Sequence, residues 1–176
     1  NDTLLVIENH YLGSVIKHNQ FDTFYHEHPR TYSLNSFLKI SKLLEMNIDL
    51  VEFPERYGGN IRVFLNKNKD IESKKSFKKY LDEEENFLDG FVNLNKFIDS
   101  WRINKKNELM NAFKKYGPLI GKAFPGRAAI PIKLLKLDNH IISTVHELDT
   151  SQKCGHYIPG TNIPIKRDNE YDKNYS

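Results

Sequence analysis

A chain of 176 residues with 39% hydrophobic side chains is long enough to bury a core of its own, which excludes an unstructured chain. Its 26 Lys and Arg against 23 Asp and Glu leave a formal charge of +3 spread along the sequence without a basic block, which argues against a nucleic-acid partner. The single cysteine, Cys154, cannot form an internal disulfide; no apolar run is long enough to span a bilayer and no signal peptide is recognisable, so a cytoplasmic protein away from membranes is expected.

Residues 3–8 form a short apolar run that reads as a buried parallel strand. Because Asn1 rather than Met precedes it at once, the chain reads as starting inside a domain. Residues 12–17 predict a short helix. Ser33 caps a longer one predicted over 34–46, where Leu34, Phe37, Leu38, Ile40, Leu43 and Leu44 recur at helical spacing. Two strand-like runs, 48–53 and 60–65, flank Pro54-Glu-Arg-Tyr-Gly-Gly59 and predict a hairpin.

Beyond a polar stretch over 66–75, apolar residues from Phe77 to Trp101 hold a three-four spacing. This predicts a long amphipathic helix, broken near Gly90 and again near Asn104, before a second helix ending at Tyr116. Its polar face mixes Glu, Asp and Lys, which suits a packed connector better than a membrane-surface helix. The tail offers Leu119-Ile-Gly121, a loop over 122–127, an apolar stretch over 128–137 and a strand-like run over 141–147, in the order of a βαβ unit. Residues 167–176 are polar and close no core by themselves. The reading is therefore α/β, in three parts: the end of a sheet domain over 1–70, a helical connector over 71–116, and the start of a second α/β domain over 117–176.

The densest chemical cluster is Phe21-Asp-Thr-Phe-Tyr-His-Glu-His28. If it is extended, Tyr25 and Glu27 point one way and His26 and His28 the other; a loop relaxes that constraint. Histidine titrates near neutrality and a neighbouring carboxylate orients it, so His28 or His26 is a candidate general base. The same run also reads as a solvated loop anchored by its aromatic residues. A zinc site would need a third ligand from elsewhere, and neither the His-Glu-x-x-His spacing nor paired cysteines occur, so no metal is expected. Lys122 and Arg127 bracket a Pro-Gly turn at a predicted helix start, where backbone N–H groups favour an anion such as a pyrophosphate; two solvated cations beside a turn are the plainer reading. Pro159-Gly160 has the residue order of a type II turn.

Three motifs then stand in register: the run over 21–28, Tyr57-Gly-Gly-Asn-Ile-Arg-Val63, and Gly155-His-Tyr-Ile-Pro-Gly-Thr-Asn-Ile-Pro-Ile165. Together they resemble the sugar C-methyltransferases that act on nucleotide-linked 4-keto-deoxysugars. The resemblance implies the last part of a class I methyltransferase, Rossmann-like sheet, then the long helical connector, then a C-terminal βαβ Rossmann-like piece that helps hold a sugar nucleotide. It implies S-adenosylmethionine as the donor of the complete enzyme, although no Gly-x-Gly donor motif occurs in these residues. Proton abstraction beside a ketone is then followed by methyl transfer to the enolate carbon. By position, His28 resembles the base, Glu27 its orienting or relaying partner, and Tyr25 the donor to the keto oxygen. Tyr32, Arg30, Gly58, Gly59, Arg62, Lys122 and Arg127 are the implied substrate-binding residues. Pro29-Arg-Thr-Tyr-Ser33 and Tyr57 depart from the family pattern, so another acceptor is in view. Methyl transfer to oxygen on a surface-polysaccharide sugar precursor, and a non-catalytic sugar-nucleotide-binding or interaction module, are the alternative functions. The expected partner is the nucleotide sugar, with self-association or pairing with a missing N-terminal half.

Overall fold

The computed structural model describes residues 3–25, 27–67, 77–122 and 125–170. They form two compact units, one up to Phe97 and one from Ile98 onward, with the boundary inside a long helix.

In the first unit, β1 (Leu5–His10) leads through Tyr11 into α1 (Leu12–Lys17), and α2 (Leu34–Leu43) precedes the hairpin of β2 (Asn47–Glu52) and β3 (Asn60–Asn66). The sheet order is β1-β3-β2, with β3 antiparallel to both neighbours. The hairpin is as the sequence predicts. β1 is not a buried parallel strand: its bonded neighbour is antiparallel, and Leu5 and Val6 are exposed. Apolar composition gave the element but not its pairing, because an edge strand leaves one flank of residues uncovered.

The sheet has two chemically different faces, since successive side chains alternate. Ile61, Val63 and Leu65 are fully buried with Leu34 and Phe37 of α2, and Ile7 packs against them. Each such side chain contributes about 1.5–3 kcal/mol by leaving water. On the opposite face Glu8 stands across from Arg62 and His10 across from Asn60.

α2 starts where the sequence places it. Ser33 accepts the Ser36 N–H at 3.2 Å, and the Ser36 hydroxyl returns a bond to the Ser33 N–H. A second cap comes from far away in sequence. Glu84, the last residue of α3 (Lys78–Glu84), accepts from the Leu34 N–H at 2.6 Å, the Asn35 N–H at 2.9 Å and the Tyr11 hydroxyl at 3.2 Å. Burial, and then the charge of Glu84, push the Tyr11 hydroxyl above the ordinary tyrosine range, so it stays a donor.

α4 (Phe87–Tyr116) runs without interruption through Gly90 and Asn104, against the expected breaks; the helix gap falls at Glu85–Asn86 instead. Gly90 is there for space: a Cβ would stand 2.6 Å from the Ile16 Cγ2 on α1. Its cost in helix propensity, about 1 kcal/mol, is accepted for that close approach.

The second unit holds β4 (Leu119–Lys122), α5 (Pro125–Leu134) and β5 (Ile142–Glu147), with β4 and β5 parallel as a βαβ unit requires. A third strand, β6 (Ile165–Arg167), lies parallel to β5 on its other side. Its core is Ile132, Ile141, Ile142, Val145, Ile158, Ile163 and Ile165, with Met110 and Phe113 of α4 packed on it. Between β5 and β6 the Ile158–Thr161 turn closes with a 3.0 Å bond from the Thr161 N–H to the Ile158 carbonyl, and Gly160 sits at φ 72°, which fits the predicted Pro-Gly turn.

Candidate functional site

β1 ends at His10, and the chain returns to that point through residues 21–32. Phe21–Thr23 is a single tight turn of helix, and the His28 N–H then bonds the Tyr25 carbonyl at 2.9 Å. The segment is therefore a turn, not an extended strand, and Tyr25, Glu27 and His28 are drawn together rather than alternating. The Tyr25 hydroxyl donates to the Glu27 Oε2 at 3.0 Å, and the Tyr25 and His28 rings lie 4.8 Å apart, tilted by 54°. His26, the other candidate base, lies outside the described residues.

His28 is flanked on another side by His10, with ring centroids 4.7 Å apart. Its Nδ1 is shielded and has no hydrogen-bond partner among the described residues. An imidazole nitrogen so placed is not committed to a fixed structural bond. A cavity of about 360 Å³ opens here, lined by Glu8, Asn9, His10, Glu27, His28, Pro29, Arg30, Tyr32, Tyr57 and Asn60. Arg30 is exposed at its rim, whereas Tyr32 lies deeper, its ring 5.4 Å from that of Phe37 in the core.

The other substrate-binding residues read from the sequence fall elsewhere. Gly58 and Gly59 line a separate cavity with Ser14, His18 and Gln20. Both have positive φ, and a Cβ would meet the Gln20 amide at 1.7 Å and the Ser14 hydroxyl at 2.3 Å respectively, so the pair packs the turn against α1. Arg62 is not among the residues lining the His28 cavity. Its guanidinium is taken by Glu8, at 2.7 and 2.8 Å, and by Glu52, at 2.9 Å. In turn Asn60, donating at 2.7 Å, and then Arg62 hold the Glu8 carboxyl below the usual carboxylate range.

Lys122 and Arg127 belong to the second unit. Lys122, at the carboxyl end of β4, pairs with Asp168 at 2.9 Å, and this bond and charge raise its pKa. It lines a cavity of about 370 Å³ with Ile120, Gly121, His146 and Asp168, outside the carboxyl ends of the parallel strands where α/β sheets commonly take ligands. His146 is buried, its Nδ1 2.8 Å from the Arg167 carbonyl oxygen. Arg127 lies in the first turn of α5.

Sequence reasoning missed Glu8, His10 and Asn60. Two polar residues at i and i+2 near the end of a strand were the available signal, since such residues share a face and sit where the strand delivers them. Among the described residues no group of three or more His, Cys, Asp or Glu is arranged to hold a metal ion, and no helix is long and apolar enough to cross a membrane.

The family described as C-methyltransferase C-terminal domain matches residues 55–175. A relative, C-methyltransferase NovU of Streptomyces niveus, is 36% identical over 63 residues, which are 36% of this chain and 15% of that protein. The matched stretch thus spans well under two thirds of the relative's length.

Proposed function

Because this chain belongs to the C-methyltransferase C-terminal domain family, we propose that it binds a nucleotide-linked 4-keto sugar and removes the proton beside the ketone, so that the carbon can be methylated. The observation that carries this reading is the bond from the His28 N–H to the Tyr25 carbonyl, which sets the His28 imidazole and the Glu27 carboxylate on one cavity with the Tyr25 phenol bonded to Glu27. The order β1-β3-β2 with an antiparallel middle strand supports reading the first unit as the last part of a class I methyltransferase sheet.

S-adenosylmethionine, the donor implied by a methyltransferase family, supplies an electrophilic methyl group when bound. We read no donor cradle in the described residues: β1 passes through Tyr11 straight into α1, and Gly58 and Gly59 approach Gln20 and Ser14 too closely to carry side chains of their own. The side chains of this cavity therefore act on the acceptor alone. His28 takes the proton from the carbon beside the ketone; the C–H electron pair becomes the enolate double bond, and charge moves to the former carbonyl oxygen. Tyr25 donates a hydrogen bond to that oxygen as charge develops, exchanging its present partner Glu27 for it. Glu27, thereby released, orients the imidazolium or relays its proton. Arg30 at the rim meets the diphosphate, and within the second unit Lys122 and Arg127 are further cations of the kind that suits a phosphate. Tyr32 closes the inner wall.

Methyl transfer by the complete enzyme tests this reading. His28→Ala is expected to lower turnover by about 10²–10⁴-fold with donor binding unchanged, the range for losing a general base. Turnover within about threefold of wild type would remove His28 from the role.

A further inference from the structure

The polar face of the first sheet carries a charge that proton abstraction does not use. Glu52, Arg62, Glu8 and Asn60 form a continuous chain of contacts at 2.7–2.9 Å, in which two carboxylates share one guanidinium. The chain ends on the cavity wall, since Glu8 and Asn60 line it while Arg62 and Glu52 do not. The Glu8 carboxylate therefore faces the cavity fixed in position and incompletely neutralised. Oε1 accepts from Asn60 and Oε2 from Arg62, yet a carboxylate offers about four acceptor directions. Its side chain remains a quarter exposed, at 25%, so an acceptor direction stays open to a ligand. His10 shares the strand face, Arg30 lines the cavity from the loop, and the charge of Arg56 also acts on Glu8.

From this geometry we infer that Glu8 is a specificity-determining residue that accepts a hydrogen bond from a ring hydroxyl of the acceptor sugar. The inference rests on the acceptor reading given above. Asn60 and Arg62 act as positioning residues: they hold the carboxylate in one rotamer, so little side-chain freedom is lost when a hydroxyl binds. A site built around a buried or fixed acceptor discriminates strongly against a ligand lacking the matching donor, because the acceptor is then left unpaired.

The test is calorimetric titration of the chain with two probes: a thymidine-diphosphate 4-keto-6-deoxyhexose that keeps its ring hydroxyls, and the congener that lacks them. Wild type is expected to prefer the hydroxylated probe by about tenfold or more, the size of a hydrogen bond to a charged group. Glu8→Gln should erase most of that preference while binding the deoxy congener within about twofold of wild type. If Glu8→Gln and wild type share the same preference, or if wild type shows none, the inference is overturned and the acceptor reading survives. Failure of folded wild type to bind either probe overturns both. Should Glu8→Gln melt well below wild type, Glu8→Asp makes the same comparison, because it keeps the charge beside Arg62 and withdraws the carboxylate by one methylene. Retained preference in Glu8→Asp then counts against the inference.

Discussion

Glu84→Gln isolates the contact that fixes where the site loop ends. The Glu84 carboxylate lies at 8% exposure and accepts from the Leu34 and Asn35 N–H groups at 2.6 and 2.9 Å and from the Tyr11 hydroxyl at 3.2 Å. Glutamine keeps the shape but turns one acceptor into a donor, so one of those N–H or O–H groups is left unpaired and buried. That costs about 1–3 kcal/mol. Loss of a negative charge at the start of α2 removes roughly 0.3–1 kcal/mol more, the usual strength of a carboxylate at a helix N-terminus. The expected destabilisation of the first unit is therefore about 1–4 kcal/mol. Urea melts followed by far-UV ellipticity, together with hydrogen exchange at the Leu34 and Asn35 amides, measure it; exchange is needed because two units need not unfold together. A change under about 0.5 kcal/mol, the range of an ordinary surface substitution, would refute the claim that Glu84 caps α2.

Gly59→Ala should destabilise more than Gly160→Ala, since the first must displace the Ser14 hydroxyl at 2.3 Å from the new Cβ at φ 120° while the second meets nothing within 4 Å; thermal melts of the two variants give the order, with about 1–3 kcal/mol expected for the first. Acid stability of the first unit has a defined sign. Glu8 is held below the usual carboxylate range by Asn60 and Arg62, so its contribution is present above about pH 4.3 and is lost as pH falls through the lowered value. Glu8→Gln should therefore flatten the acid limb of a melting-temperature profile, and an unchanged limb would count against the network. Tyr25→Phe leaves the turn intact but removes the hydroxyl that now meets Glu27, and turnover of the complete enzyme should fall about 100-fold, as when one oxyanion donor is lost.

Local signals were legible wherever the determinant lies within a few residues. Ser33 marked the start of α2, Pro54 to Gly59 the hairpin, and the alternation of apolar and turn residues from Leu119 to Glu147 the parallel βαβ unit. Determinants supplied from a distance were not. The Glu84 cap reaches α2 from fifty residues away in sequence, |i−j| = 50 for the Leu34 bond. Gly90 reads as a helix breaker until Ile16 of α1 is seen occupying the space a side chain would need. β6 is short, only Ile165–Arg167, and follows a Pro- and Gly-rich stretch that reads as loop. At the site, the residue types of Tyr25, Glu27 and His28 marked a candidate for acid–base chemistry, but only the turn shows how they meet. His10 lies beyond the run over 3–8 that betrayed β1, and Glu8 read only as the last residue of that run, since nothing local shows that the loop after residue 21 returns to this strand end.

The proposed proton abstraction by His28 can be tested without any methyl donor. The chain is incubated in deuterium oxide with a thymidine-diphosphate 4-keto-6-deoxyhexose, and proton NMR follows the hydrogen on the carbon beside the ketone. The account predicts exchange accelerated by wild type and slowed by about 100-fold or more in His28→Ala, the scale of a general base. Equal exchange with wild type and His28→Ala, both folded, would contradict it.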